Sequence, residues 1–205
     1  ELDIQEVQKE LFVLVKKMNK KDIPHFVSEK GKTLLIFSVK RNFQNIVKYL
    51  VDNKTDINAK DTQDDTALTI AAKAGHIELL NYLIEKGASF DIQEDGFCRA
   101  MYLAVANGHL HTVKHLESLG VSLHFPKEKN LVMKALSNNH EDIFYYLKEK
   151  GLEILVKNKE NKSTLMKAAQ NNMFDIVALL IKEGAMPLNK NNKGFTAFQL
   201  AAIKD

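Results

Sequence analysis

The chain has 205 residues and a formal net charge of +3, and 45% of its residues are hydrophobic while 27% are charged. These fractions are average for globular proteins and argue against a disordered chain, and no apolar stretch approaches the roughly 20 residues of a membrane span. The charge is too mild to indicate a nucleic-acid partner, because nearly all basic residues are lysines, which lack the bidentate fork of arginine.

Residues 1-31 are predicted to form an N-terminal capping unit of two helices. Val7 to Met18 has the apolar spacing of an amphipathic helix, and Ile23 to Lys30 is the second helix, with Pro24 in its first turn, where a missing N–H is tolerated. Such a cap presents a polar outer face to water. The lysine pairs at 16–17 and 20–21 are therefore interpreted as a solvated face rather than as a contact with an acidic membrane.

After the cap, the sequence repeats itself with a period of about 33 residues. The clearest copy contains Thr66-Ala67-Leu68, Ala71-Ala72, Gly75-His76, Leu83-Ile84 and Gly87-Ala88. The period predicts five full repeats followed by a partial one. The full repeats are residues 32-64, 65-97, 98-128, 129-161 and 162-194, and the partial repeat is 195-205. One interval is short, because only 31 residues separate Gly120 from Gly151.

Each repeat is predicted to fold into two short antiparallel helices. A Thr or Ser can cap the free N–H groups that begin the first helix. These caps are Thr33, Thr66, Ser163 and Thr196, and Arg99 and Asn130 replace them in the third and fourth repeats. Glycine or asparagine favours the left-handed conformation needed between the helices and after the second one. The turn residues are Asn42, Gly75, Gly108, Asn139 and Asn172, and the terminating residues are Gly87, Gly120, Gly151 and Gly184.

No single repeat of this kind buries enough apolar surface to be stable alone, so neighbouring repeats are expected to share one core. The positions expected to be buried are Leu68, Ala71, Ala72, Leu80, Leu83, Ala104, Val113, Leu116, Ala135, Leu147, Ala168 and Leu180. The weakest joint is expected between the third and fourth repeats, where the spacing is short and Pro126 interrupts the linker.

This pattern resembles the ankyrin repeat over roughly residues 5 to 205. The resemblance implies an all-α fold, an ankyrin-repeat solenoid of helix-loop-helix units joined by β-hairpin-like linkers, with residues 1-205 as a single domain. It also implies a concave face that binds proteins. The family's Thr-Pro-Leu-His tetrapeptide appears here as TLLI, TALT, RAMY, NLVM, STLM and TAFQ, so no copy keeps both the proline and the histidine.

The sequence offers no convincing catalytic, metal or cofactor site. His111 and His115 have a spacing that can hold zinc, but no carboxylate or cysteine is placed to complete a site, so a packing role is favoured. The acidic pairs 64–65 and 94–95 are expected to be solvated linker tips, where nothing would separate their pKa values. Cys98, the single cysteine, has no partner that would activate its thiol, and it fits a reducing, cytoplasmic location. We therefore expect a chain that is not an enzyme.

The surface that remains is predicted to bind another protein. Its candidate residues are the ends of the first helices and the tips of the linkers: Lys40, Arg41, Lys73, Asn107, Asn138, Asn171, Asp65, Asp95, Lys129 and Lys162. The leading interpretation is an adaptor or targeting module without a small-molecule substrate. The alternative is the substrate-recognition portion of a larger enzyme or secreted effector, whose catalytic part lies elsewhere and which acts in a host cytosol.

Overall fold

The computed structural model describes residues 4–17, 33–90, 98–126 and 129–204, and these residues form twelve α-helices and no sheet. The helices are α1 Ile4–Lys17, α2 Leu34–Lys40, α3 Gln44–Asp52, α4 Ala67–Ala74, α5 Ile77–Glu85, α6 Arg99–Ala106, α7 Leu110–Ser118, α8 Leu131–Ser137, α9 Glu141–Glu149, α10 Thr164–Gln170, α11 Phe174–Lys182 and α12 Ala197–Lys204. The predicted all-α ankyrin-type solenoid is confirmed. The second predicted cap helix, Ile23 to Lys30, lies outside the described residues.

The predicted N-terminal caps of the first helices are confirmed by their hydrogen bonds. Thr33 Oγ1 accepts from Ile36 N at 3.1 Å, and Ser163 Oγ accepts from Met166 N at 3.2 Å. The same contact is made by Thr66 with Thr69 N at 3.2 Å and by Thr196 with Gln199 N at 3.3 Å. Each side chain thus satisfies a backbone donor that the helix itself leaves free.

In the third and fourth repeats, where Arg99 and Asn130 replace the capping Thr or Ser, the outcome differs between the two. Asn130 Oδ1 accepts from Met133 N at 2.9 Å, because an asparagine caps a helix as well as threonine does. In the third repeat, α6 begins at Arg99, so Cys98 rather than Arg99 stands at the cap position, and its side chain makes no capping bond. Relative to the repeat period, α6 begins one residue earlier than α4 does, and the position before it is therefore a cysteine instead of a threonine or serine.

The helices of a repeat are joined as predicted. All five expected turn residues, Asn42, Gly75, Gly108, Asn139 and Asn172, have φ between 57° and 78°, in the left-handed region. The four glycines that follow the second helices also have positive φ values. Because asparagine tolerates this conformation better than other non-glycine residues, the turn survives where glycine is replaced.

The core lies between the two layers of helices. Each first helix packs on the second helix of its own repeat, as in the pairs α2 and α3, α4 and α5, or α8 and α9. First helices also pack on each other, in the pairs α2 and α4, α6 and α8, α8 and α10, and α10 and α12. All twelve positions predicted to be buried are fully buried. The repeat period therefore located the core correctly.

The chain divides into two compact units, Glu1–Asp91 and Ile92–Asp205. The first unit contains α1 to α5, and the second contains α6 to α12. The division falls near the end of the second predicted repeat, after α5 and before α6, whereas the joint expected to be weakest lies inside the second unit. The single domain over 1-205 and the weak joint stay predictions. Within the described ranges, no helix is long and apolar enough to cross a membrane.

Candidate protein-binding surface

Three linkers fold into the same tight turn, which we call a tip: residues 61–65, 158–162 and 191–195. In each tip, the first residue donates its backbone N–H to the carbonyl oxygen four residues later, as Asn191 does to Phe195 at 2.9 Å. Its side-chain Oδ1 accepts from the backbone N–H groups two and four residues later. An Asp or Asn at the first position thus fixes the tip through its own side chain.

The acidic tip of the first unit differs from the expectation in one respect. Asp65 was predicted to be an exposed charge, but it is only 1% exposed, and Asp61 is buried as well. Lys73 Nζ lies 3.7 Å from Asp65 Oδ2, so two predicted partner-binding residues form an ion pair with each other. The prediction failed because the tip turns its first and last residues inward. Asp64, at its exposed apex, has φ 58°.

The two tips of the second unit are joined to each other. Asn192 N donates to Glu160 O at 3.0 Å, and Asn161 Nδ2 donates to Lys190 O at 2.9 Å. Asn192 Nδ2 also donates to Lys159 O at 3.2 Å. We call residues 158–162 and 190–195 the paired tips. Their backbone is fixed by these bonds, while the side chains of Lys159, Lys190 and Lys193 remain exposed.

The remaining basic candidates are less accessible than predicted. Lys162 is 20% exposed, and its Nζ lies 3.4 Å from Glu160 Oε2, so much of its charge is compensated locally. Lys129 is half-buried in the linker between the third and fourth repeats. Asp95 lies outside the described residues. The exposed positive charge of this region is therefore concentrated on lysines that the sequence analysis did not select as partner-binding residues.

The candidate residues at the ends of the first helices have structural contacts of their own. Asn171 Nδ2 donates to Leu136 O at 2.6 Å, and Asn138 Nδ2 donates to Ala106 O. Both bonds connect one repeat with the preceding one. Asn107 Nδ2 instead donates to Leu103 O of its own helix at 2.8 Å. In the first unit, Lys40 and Arg41 are exposed.

A contact between second helices was not anticipated from the sequence. Glu117 on α7 accepts a hydrogen bond from the Tyr146 hydroxyl of α9, and Lys150 Nζ lies 2.8 Å from Glu117 Oε1. We call these three residues the clasp. The bonds from Lys150 and Tyr146 lower the pKa of Glu117, and the bond to Glu117 raises the pKa of Lys150. Burial, followed by the Glu117 contact, raises the pKa of Tyr146.

The histidines lie at structural positions. His76, His109 and His140 directly precede second helices, and His140 Nε2 lies 3.1 Å from Ala106 O. His111 is exposed and His115 half-buried. In the part of the chain that the structure describes, no three His, Cys, Asp or Glu side chains are arranged to hold a metal ion. Cys98 is fully buried and forms no disulfide.

Comparisons with known proteins agree with this architecture. A family model for ankyrin repeats in three copies matches residues 7–94 and 132–205. The unmatched stretch contains the third repeat and its short linker. The ankyrin repeat domain of human ASB11 superposes with a TM-score of 0.76 at 23% identity, covering 98% of this chain and 90% of that one. No curated protein sequence matches the chain. The chain belongs to the ankyrin-repeat family, whose members generally act as protein–protein interaction modules.

Proposed function

We propose that the chain is a non-catalytic adaptor that binds an acidic surface of another protein through the paired tips of its second unit. The observation that carries the proposal is the set of three hydrogen bonds between the tips, which fix the backbone beneath Lys159, Lys190 and Lys193. Charged groups on a fixed backbone lose less conformational freedom on binding than groups on a mobile loop. The tips are therefore suited to recognition.

The charge of the paired tips defines the partner's chemistry. Three lysine side chains are exposed there, and the acidic residue among them, Glu160, lies 3.4 Å from Lys162. Long-range attraction between this surface and an acidic one accelerates association more than it raises affinity. Lys40 and Arg41 offer a second basic surface on the first unit, and we include them as secondary contacts. A cytoplasmic setting, where the Cys98 thiol stays reduced, is part of the proposal.

The proposal is tested by reversing the charge of lysines on the paired tips. The full chain serves as bait in a crosslinking pulldown from the native cell, and association with the recovered partner is then followed by surface plasmon resonance. The double variant Lys190→Glu/Lys193→Glu should associate at least tenfold more slowly at about 50 mM salt than the original chain, and the difference should shrink at about 500 mM as screening increases.

The matched control is Lys48→Glu/Lys182→Glu, which makes the same change in net charge at exposed positions on α3 and α11. It should associate with the partner nearly as fast as the original chain. Exposed charges add little stability, so all variants should remain folded. An equal loss of rate in both double variants would show that net charge, and not the paired tips, determines binding. An unchanged rate in the tip variant would remove the proposed function.

A further inference from the structure

The short linker between the third and fourth repeats does not form a tip in its described residues. Lys129 N donates to Pro126 O at 2.8 Å. Asn130, the cap of α8, follows Gly120 by ten positions, whereas the cap Ser163 follows Gly151 by twelve. Within the described residues, the tip at 158–162 therefore pairs with the following tip and with no tip on its other side.

The backbone groups on that other side of the tip can be identified by comparison with the next tip. In the paired tips, Asn192 N and Lys190 O are bonded to the preceding tip. Their counterparts 33 residues earlier are Lys159 N and Lys157 O. Neither counterpart has a hydrogen-bond partner within the described ranges. Two groups that are bonded in one tip are thus unbonded in the other.

The conformation of Lys157 shows which way these groups point. Lys157 forms an isolated antiparallel bridge with Ser163, and the bonds of the bridge are made by its neighbours, Asn158 N to Lys162 O and Thr164 N to Val156 O, both at 3.0 Å. In such a bridge the central residue turns its own N–H and C=O away from its partner. Lys157 therefore presents an unpaired backbone edge, which is a template for another extended chain.

A cavity of about 510 Å³ lies against this edge. Its apolar wall includes Leu123, Phe125, Leu155 and Val156, and Leu155 is 38% exposed. The volume falls within the range of clefts that hold ligands, about 300–1,000 Å³. We call the cavity and the backbone edge at residues 155–159 the edge groove. It combines a place for an apolar side chain with free main-chain donors and acceptors.

We propose that the edge groove binds an extended, acidic segment of a partner protein by strand addition. The segment pairs its backbone with Lys157 and Lys159, and places an apolar side chain against Leu123 and Leu155. Successive side chains of a strand point to opposite faces, so apolar and acidic residues should alternate in the ligand. The charge at the edge is positive, because Lys157 and Lys159 are exposed there, and Glu153 across the cavity limits the ligand to few carboxylates.

This inference rests on the proposed function in one respect, which is that the ligand is a segment of a protein. It is tested with peptides. Random twelve-residue peptides displayed on phage are selected on the full chain, and the enriched sequences are synthesised with a fluorescent label. Fluorescence polarisation then measures their affinity. We expect enriched peptides with alternating acidic and apolar residues, and a loss of at least tenfold in affinity when alternate backbone nitrogens are methylated, because methylation removes the N–H donors of a paired strand.

Two variants locate the binding site. Leu155→Lys places a charge at the groove and should weaken peptide binding at least tenfold. The matched control Leu119→Lys, at a leucine of similar exposure after α7, should leave peptide binding unchanged. In the second variant, the sequence of residues 152–163 replaces residues 121–130, which supplies a linker of tip-forming length and should abolish peptide binding by pairing with the backbone edge at Lys157 and Lys159. Circular dichroism shows whether each variant is folded.

The outcomes separate this proposal from the proposed function. Peptides that bind Leu155→Lys and the variant with the replaced linker as tightly as the original chain would overturn the edge groove. So would a selection without acidic–apolar sequences, or full binding by the methylated peptides. If the peptides instead lose affinity only for Lys190→Glu/Lys193→Glu, the edge groove fails and the paired tips remain the binding surface. Loss of partner binding in that double variant with intact peptide binding supports both surfaces separately.

Discussion

Gly108 is the position where a single methyl group should be most informative about stacking between repeats. It follows α6 with φ +78°, and a Cβ atom built there would lie 2.7 Å from both Cε1 and Nδ1 of His140. That ring is not free to swing away, because its Nε2 lies 3.1 Å from Ala106 O, a bond that requires the proton on Nε2. Gly108→Ala therefore disturbs the joint between the third and fourth repeats.

The cost has two parts that can be separated. A left-handed backbone costs a residue with a Cβ about 1–2 kcal/mol. Displacing the His140 ring breaks its bond to the carbonyl of Ala106, which is worth about 0.5–1.5 kcal/mol. The expected loss for Gly108→Ala is the sum, about 1.5–3.5 kcal/mol. Gly151→Ala is the matched control, because its φ is +80° and nothing lies within 4 Å of the added methyl, so only the first part applies.

Urea melts followed by far-ultraviolet circular dichroism give the free energy of unfolding of each variant. Gly108→Ala should be less stable than Gly151→Ala by about 0.5–1.5 kcal/mol, the value of the lost bond. In a His140→Ala background, this difference should vanish, because the methyl no longer meets a ring. Equal losses for the two glycine variants, or a difference that persists without the ring, would refute the role given to His140.

Leu83 is fully buried, so Leu83→Ala should lower the free energy of unfolding by about 2–5 kcal/mol, and a urea melt showing less than about 0.5 kcal/mol would contradict the stacking of α4 and α5. Glu117→Gln should lower stability most between about pH 5 and 10, and the loss should shrink as the pH falls below about 4.3, because a lowered carboxyl pKa contributes fully above the unfolded value and its contribution is lost as the pH falls through the folded pKa. The stability that the clasp adds through the raised pKa of Lys150 is complete below the unfolded value of about 10.4 and is lost as the pH rises further. If the stability difference between the original chain and Glu117→Gln does not change with pH, the clasp is contradicted. If the joint between the third and fourth repeats is the weakest, amide hydrogen exchange should be less protected in residues 119–133 than in residues 68–83. Equal protection in the two ranges would contradict a weak joint.

Local chemistry explains why much of the fold could be predicted. A Thr or Ser before an apolar helix, and a Gly or Asn after it, act on backbone groups within a few residues, so their roles at Thr33, Ser163 and Asn172 follow from the sequence alone. The core positions follow from the repeat period, because each helix buries the same face. The misplaced cap at Cys98 shows the limit, since a shift of one residue leaves the period intact.

The site was harder to predict because its contacts join residues far apart in the chain. Asp65 lies in an exposed linker by sequence, yet the tip turns it inward against Lys73. The clasp joins Glu117 to Tyr146 across 29 positions, and nothing in either helix alone indicates the pair. Tyr146 occupies the repeat position that holds Tyr49 and Tyr82 in earlier repeats, and this recurring tyrosine is the signal that could have led to the clasp.

The short linker shows that helix stacking and tip pairing are separate sources of cohesion in this chain. Between the third and fourth repeats the described residues form no pair of tips, yet His140 Nε2 lies 3.1 Å from Ala106 O and the clasp joins α7 to α9. The core there is intact, because Val113, Leu116 and Leu147 are fully buried. Losing two residues from the linker therefore removes edge contacts without opening the core. A repeat protein can gain a groove in this way at small cost to its stability, since the deletion acts where few apolar contacts are lost.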